Sequence, residues 1–274
     1  MIELVRGLFS YGFLTRAVIV GTLVALCAAL LGVSLVLKRY SMIGDGLSHV
    51  GFGALSVAMA LNVAPLAVST PVVILAAFLL LRLSEQSKIK GDAAIGLIAS
   101  SALAIGVIVT SLTSGMNADV NGYLFGSILA MSKGDVFLSL VLSAFVLVLF
   151  VLFYNKIFAV TFDEAFAQAT GTNARIYNML IALLTAVTIV VGMRIMGAML
   201  ISSLIIFPAL TAMRVCRSFK GVVVTAAAVS VICFFGGMLG SFAFSTPAGA
   251  TIVVANIVMF LLFTLAGVLK NRMF

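Results

Sequence analysis

Long apolar runs separated by short polar stretches dominate the pattern of hydrophobic and polar positions along this chain. A helix that crosses the hydrocarbon core of a bilayer needs about 20 predominantly apolar residues. Only Arg194 separates the sixth such run from the seventh, and the second run is short and rich in glycine, so the pattern predicts eight or nine membrane-spanning helices. The nine candidate runs are residues 13–37, 43–61, 64–81, 93–113, 135–155, 175–193, 195–213, 219–243 and 247–269.

The composition favours a membrane protein over a soluble one. Of the 274 residues, 64% are apolar and 9% are charged, whereas a soluble domain carries about 25% charged residues. No soluble fold could bury so much apolar surface, so lipid must be the solvent for most of it. The connections between the apolar runs are too short to fold as catalytic domains. We therefore expect an all-α polytopic membrane protein in which residues 1–274 form one transmembrane domain.

The distribution of basic residues predicts the orientation in the membrane. If nine segments alternate, one set of connections carries twelve of the sixteen Lys and Arg residues, and the opposite set carries Arg6, Arg16, Lys133 and Arg194. The positive-inside rule assigns the first set to the cytoplasm. The net charge of +8 then reflects topology and gives no reason to expect nucleic acid as a partner. Arg194, at the external end of its run, is expected to extend to the surface.

Several classes of function are disfavoured by what the sequence contains. It has no GxxxxGK[ST] phosphate-binding loop, so any ATP that drives transport must be hydrolysed by another subunit. A secondary transporter usually binds its coupling ion with intramembrane carboxylates, and one buried acid, Asp45, gives weak support for that class. A membrane enzyme is disfavoured because no nucleophile is placed beside the one Asp–His pair. A membrane scaffold that transports nothing remains an alternative.

Asp45 and His49, the only histidine of the chain, lie four residues apart at the start of the second run. On a helix this spacing places both side chains on one face, about 5 to 6 Å apart at their Cβ atoms. Carboxylate oxygen and imidazole nitrogen are ligands of Zn²⁺ and of Mn²⁺ and Fe²⁺. Two copies of the chain on a twofold axis would supply two Asp and two His, enough for a four-coordinate ion. The alternative is a structural histidine bonded to its neighbouring acid.

The glycines around this pair favour a functional interpretation. Each costs a helix about 1 kcal/mol relative to alanine, and each removes bulk, which allows close approach of another helix or of an ion. Ionisable groups within a membrane are usually functional. We therefore expect these glycines to line a pathway past the two ligands; they are Gly44, Gly46, Gly51 and Gly53.

Five segments, in order along the chain, resemble the signature of the ABC-3 metal permeases, the membrane subunits of bacterial zinc, manganese and iron importers. KRYSMIGDGLSHVGFGAL resembles the family's G-D-A-L-S-H motif, with Gly46 where alanine is usual. The other four are NGYLFGSILAMS at residues 121–132, FDEAFAQATGT at 162–172, MGAMLISSLIIFPALTAMRV at 196–215 and TPAGATIV at 246–253. The resemblance covers essentially the whole chain, and YLFGSIL looks closer to zinc-type than to manganese-type members.

The resemblance implies a type II ABC importer fold, like that of the vitamin B12 permease, in a bacterial cytoplasmic membrane. It implies four kinds of partner: a second permease copy in a homodimer, two cytoplasmic ATP-binding subunits, an extracytoplasmic metal-binding protein and membrane lipid. By the same resemblance Asp45 and His49 are the metal-coordinating pair of the translocation path. The chain would be a transport subunit and not an enzyme, with no resident cofactor. Its cargo would be Zn²⁺, with Mn²⁺ or Fe²⁺ as alternatives.

The resemblance also identifies residues 162–172 as the coupling helix that docks on the ATP-binding subunit. The orientation agrees, since this stretch falls between two basic residues of the cytoplasmic set. The local sequence predicts a short helix that Thr161 could cap, with acidic residues at its positive N-terminal end and a glycine stop. A plain interfacial helix is the alternative. The residues assigned to coupling are Phe162, Asp163, Glu164, Ala165, Ala169 and Gly171.

A weaker similarity links residues 41–59 with residues 194–213. With one gap, the two stretches align at several small and apolar positions. In the nine-span arrangement they run in opposite directions, as an inverted repeat would. This alignment places Ala198 in the Asp45 position and Ser202 near the His49 position.

Overall fold

A computed structural model describes residues 12–86, 91–113, 126, 133–198 and 200–273. Helices dominate these residues, and no strand occurs in the part of the chain that the structure describes. Of the five segments that resemble the ABC-3 signature, the one at residues 121–132 lies outside the described residues except for Gly126. The helices are α1 (Gly12–Leu37), α2 (Ile43–Ala60), α3 (Pro65–Gln86), α4 (Gly91–Leu112), α5 (Lys133–Leu152), α6 (Tyr154–Phe162), α7 (Glu164–Ala169), α8 (Ala174–Met196), α9 (Ile201–Met213), α10 (Phe219–Phe244) and α11 (Ala248–Met273).

Seven helices in the described ranges are long and apolar enough to cross a membrane: α1, α3, α4, α5, α8, α10 and α11. This confirms the prediction of a multi-pass, all-helical membrane protein. Helix α9 has 13 residues and extends about 20 Å, less than the roughly 30 Å hydrocarbon core. Whether α2 and α9 complete eight or nine crossings stays a prediction.

The junction between α8 and α9 differs from the predicted boundary at Arg194. Helix α8 continues through Arg194 to Met196, and Gly197 ends it with a φ of 89°, a conformation that glycine adopts without steric cost. A Cβ on Gly249, in the TPAGATIV segment, would lie 2.4 Å from the carbonyl oxygen of Met196. The start of α11 therefore packs directly on this junction.

Helix α8 runs through the middle of the bundle and has ionic clusters at both ends. Near its start Asn178 contacts Lys38 and Glu164, and in its last turn Arg194 pairs with Asp135. These two ionic levels, marked by Asn178 and Arg194, are 16 residues apart along α8, about 24 Å. The Lys38 end carries the basic residues that the positive-inside rule places in the cytoplasm.

Contacts among the central helices fix their relative directions. Lys38 at the end of α1 meets Asn178 near the start of α8, and Val24 in the middle of α1 meets Gly192 near the end of α8, so α1 and α8 are antiparallel. A Cβ on Gly192 would lie 2.3 Å from Cδ1 of Ile201 as well as 3.0 Å from Val24, and a Cβ on Gly32 would lie 2.0 Å from the carbonyl oxygen of Ile205, so α9 runs in the same direction as α1. Only glycine allows this crossing.

Candidate functional site

The turn between α1 and α2 places Asp45 in the first turn of α2. Arg39 has a φ of 61°, in the left-handed region, and the backbone N–H of Tyr40 donates to the carbonyl of Leu35 at 2.8 Å. The N–H of Ile43 then donates to the carbonyl of Tyr40 at 3.0 Å. These bonds reverse the chain within five residues, and α2 begins without a side-chain cap.

The structure confirms that Asp45 and His49 share one face of a helix. The Nε2 atom of His49 lies 3.6 Å from Oδ2 of Asp45, and the side chains are 15% and 40% exposed, respectively. This distance is longer than a normal hydrogen bond. The Nδ1 atom of His49 is buried and has no hydrogen-bond partner among the described residues. The pair therefore presents nitrogen and oxygen donors beside each other, as Zn²⁺, Mn²⁺ and Fe²⁺ ligation requires.

Contacts at both ends of this segment give the depth of the pair along α8. On the Lys38 side of the pair, Gly44 packs on Ile205, and the backbone of Ile205 also meets Gly32 of α1. Gly32 lies six residues before Lys38, about 9 Å along the helix. Above it, a Cβ on Gly51 would lie 2.5 Å from Cε of Met193. Since Met193 is next to Arg194 at the far end of α8, the pair lies between the two ionic levels and not at either surface.

The four glycines near the pair are buried against neighbouring helices of the same chain. Besides Gly44 and Gly51, a Cβ on Gly46 would lie 2.6 Å from Cγ2 of Ile95, and one on Gly53 would lie 2.6 Å from the carbonyl oxygen of Ala102. These contacts explain why small residues are needed here. Their role in lining a pathway stays a prediction.

The first turns of α2 and α9 meet beside the pair. A Cβ on Gly44 would lie 3.7 Å from Oγ of Ser202, and this hydroxyl is buried without a hydrogen-bond partner among the described residues. Ile43 lines the same small cavity as Asn178 near the start of α8, and Gly51 meets Met193 near its end, so α2 is parallel to α8. Since α9 is parallel to α1 and α1 is antiparallel to α8, α2 and α9 are antiparallel. This arrangement agrees with the opposite directions expected from the proposed inverted repeat, whose evolutionary origin stays a hypothesis.

The segment assigned to coupling forms α7, a helix of six residues, Glu164–Ala169. The prediction that Thr161 caps it is wrong, because Thr161 is the penultimate residue of α6 and its buried hydroxyl has no hydrogen-bond partner in the part of the chain that the structure describes. The cap is Asp163, whose Oδ1 accepts from the N–H of Phe166 at 2.9 Å. Asp163 is extended, with a φ of −147°, as an N-cap residue requires.

The predicted end of the helix also has a physical basis. Gly171 has a φ of 82°, which a side chain would strain. Ala167 packs with Val160 and Ala174 in a small core that is separate from the main one. Phe162, Ala165 and Ala169 are exposed, and Glu164 is half-buried. The segment therefore presents a mixed apolar surface at the end of the bundle.

Sequence reasoning missed the contacts of Glu164. Its Oε2 lies 3.5 Å from Nζ of Lys38, and its Oε1 accepts from Nδ2 of Asn178 at 3.2 Å. Lys38 also donates to Oδ1 of Asn178. Lys38 and Glu164 are 126 residues apart in the chain, so no local pattern could reveal the cluster.

The prediction that Arg194 extends to the surface is wrong. Its side chain is 6% exposed and donates to Oδ2 of Asp135, which is 21% exposed, in the first turn of α5. A buried guanidinium needs a compensating anion, and Asp135 supplies it. The pair joins the start of α5 to the end of α8.

Comparisons with known sequences identify the class of protein. The model of the ABC 3 transport family matches residues 10–267. The high-affinity zinc uptake system membrane protein ZnuB of Haemophilus influenzae is 29% identical over 92% of this chain and 97% of that protein. The manganese import system permease protein ScaB of Streptococcus gordonii is 29% identical over 94% of this chain and 93% of that protein.

Two solved structures share the architecture. PsaBC from Streptococcus pneumoniae, in complex with Fab, has a TM-score of 0.86 and 29% identity, covering 96% of this chain and 95% of that chain. An ABC transporter in an inward-facing conformation has a TM-score of 0.72 and 15% identity, covering 92% of this chain and 86% of that chain, and shows likeness of fold alone. The chain belongs to the ABC 3 transport family. It is a multi-pass permease, a component of a transporter and not an enzyme.

Proposed function

We propose that this chain is the membrane-spanning subunit of an ATP-driven importer of divalent metal cations. The observation that carries the proposal is the Asp45–His49 pair, which presents oxygen and nitrogen donors between the two ends of α8 in an ABC-family permease. Relatives named for zinc uptake and manganese import support a metal as cargo. The ligand set suits Zn²⁺, Mn²⁺ and Fe²⁺, and the affinity order for divalent ions favours Zn²⁺ as the cargo, with Mn²⁺ and Fe²⁺ as the alternatives.

The pair suits a transient site within a homodimer. No group of three or more His, Cys, Asp or Glu side chains that could hold a metal occurs among the residues that the structure describes. Two residues per chain supply too few donors for a closed four-coordinate site, so a second permease copy would complete it. A site that binds and then releases its ion must also be weaker than a structural one.

The proposed complex has a type II importer architecture in a bacterial cytoplasmic membrane. An extracytoplasmic metal-binding protein delivers the ion to the outer side of the permease pair. Two cytoplasmic ATP-binding subunits dock on the surface formed by residues 162–172, and ATP-driven closure of these subunits turns the pathway from outward-facing to inward-facing. Several exposed side chains of this segment, Phe162 and Phe166 among them, support a docking role.

Transport by the reconstituted complex tests this function. The permease is placed in liposomes with its ATP-binding subunits and the binding protein, and uptake of radioactive zinc and manganese is measured with and without ATP. We expect uptake of at least one ion that requires ATP and the ATP-binding subunits. Uptake by the permease alone, driven by a proton or sodium gradient, would favour the ion-coupled secondary transporter. No uptake under either condition would favour a scaffold.

A further inference from the structure

A cluster of three polar side chains connects α7 to the turn that begins α2. Glu164, in the first turn of α7, contacts both Lys38 at the end of α1 and Asn178 in α8. Lys38 in turn donates to Asn178, so the three groups close a triangle. The cluster joins three separate helices, and one of them is the short helix of the coupling segment.

The surroundings of Lys38 make this link strong. Its side chain is 10% exposed and lies beside a small cavity with apolar walls formed by Leu35, Ile43, Leu81 and Ile181. An ammonium group in such surroundings depends on its polar partners, because loss of a partner leaves a poorly solvated charge. Separating Lys38 from Glu164 removes one of its acceptors, which favours retention of this contact when α7 moves.

The other contacts of α7 allow it to move with respect to the main core. Ala167 belongs to a small core with Val160 and Ala174 that is separate from the core of the bundle. Helix α7 packs mainly on α6 and α8. Helix α7 thus contributes to the small core and not to the main one, and the Glu164 cluster connects it to the end of α1.

The turn after Lys38 is built to pass such a displacement on to α2. The backbone N–H groups of Lys38, Arg39, Tyr40 and Ile43 donate hydrogen bonds that hold this turn, and Arg39 lies in the left-handed region. Asp45 follows two residues after this turn, and His49 lies one helical turn further on. Lys38 therefore sits between the coupling segment and the proposed metal ligands, with only a stiff turn between them.

We propose that the Lys38–Glu164 ion pair, completed by Asn178, transmits movement of α7 to α2 and so links the state of the ATP-binding subunit to the metal site. Lys38 and Glu164 are positioning residues, since they act through the turn and not on the ion. This inference rests on the proposed function, because it assumes that α7 docks on an ATP-binding subunit. It adds the route by which docking reaches Asp45 and His49.

The test is the number of metal ions imported per ATP hydrolysed by the reconstituted complex. Glu164→Gln keeps the size of the side chain and its ability to accept from Asn178 but removes the ion pair. Lys38→Met removes the other charge, and the exchange Lys38→Glu with Glu164→Lys restores opposite charges. Lys220 is an exposed lysine at the start of α10, and Lys220→Gln is the control variant. Zinc and manganese are the two ions measured.

We expect both single variants to bind the ATP-binding subunits and hydrolyse ATP, while ions imported per ATP fall by about 2- to 30-fold, the range of coupling effects seen in mutants. The charge exchange should recover part of this loss, and Lys220→Gln should match the parent. Unchanged ions per ATP in the single variants would overturn the inference while leaving the proposed function intact. If the variants import less metal only because less complex assembles, the number of ions imported per ATP hydrolysed stays at the parental value. That result would overturn the inference as well. Failure of the parent complex to import either ion with ATP would overturn the proposed function, and this inference with it.

Discussion

Arg194 and Asp135 form a buried ion pair that joins the last turn of α8 to the first turn of α5. The two residues are 59 positions apart in the chain. Met193, the neighbour of Arg194, packs on Gly51 of α2. The pair therefore fixes the end of α8 against which the helix of the proposed metal ligands rests.

Removing one partner of this pair should destabilise the permease strongly. Asp135→Asn leaves the guanidinium without its anion, and breaking one side of a buried pair costs about 3–5 kcal/mol. We expect a clear loss of thermal stability in detergent, measured as the midpoint of unfolding.

The double variant Asp135→Leu with Arg194→Met is the control for that experiment. Replacement of both charges by apolar groups of similar size is often close to neutral, so it should recover most of the stability. A double variant that is less stable than Asp135→Asn would show that the pair is not the cause of the loss.

The crossing of α2 and α4 at Gly53 should tolerate no side chain. In Gly53→Ala the new Cβ would lie 2.6 Å from the carbonyl oxygen of Ala102, and backbone cannot move away as a flexible side chain can. Overpacking of this kind costs about 1–3 kcal/mol. Gly236→Ala, where a Cβ meets nothing within 4 Å, should be neutral or slightly stabilising. Equal thermal stability of the two variants would contradict the close contact of α2 with α4 at Gly53.

The capping of α7 by Asp163 should matter for attachment of the ATP-binding subunit. Asp163→Ala removes the acceptor of the Phe166 N–H, a loss that costs about 1 kcal/mol of helix stability. We expect weaker binding of the ATP-binding subunit, by about fivefold, in a titration with purified components.

Asp163→Asn keeps an acceptor at the same position and should bind almost as tightly as the parent. Thr161→Val should bind normally too, because Thr161 does not cap the helix. Weakened binding in Thr161→Val together with normal binding in Asp163→Ala would contradict this assignment of the cap.

Local sequence patterns predicted much of this structure because their causes are local. Apolar runs gave most of the long helices, and the four-residue spacing gave the shared face of Asp45 and His49. The pairs Lys38–Glu164 and Arg194–Asp135 were missed, because each depends on helices that meet only in the packed bundle. Arg194 was expected at the surface for the same reason, since its sequence neighbours do not show that an acid faces it.

The cap of α7 shows how a local prediction can also fail. Thr161 and Asp163 are both good N-cap residues, so the sequence leaves two choices two positions apart. The structure extends α6 through Thr161 to Phe162, which leaves only Asp163 with an extended backbone. Val160 of α6 then packs with Ala167 of α7 and Ala174 of α8, a contact that the local sequence does not reveal.

The most direct test of the proposed metal pathway is ATP-dependent import by complexes that carry Asp45→Ala or His49→Ala. Each variant is assembled with its partners, and zinc and manganese uptake is normalised to the amount of complex in the vesicles. We predict a loss of about 10-fold or more in each variant, the size expected when metal ligation is impaired. Import at the parental rate by either variant in a normally assembled complex would contradict the account.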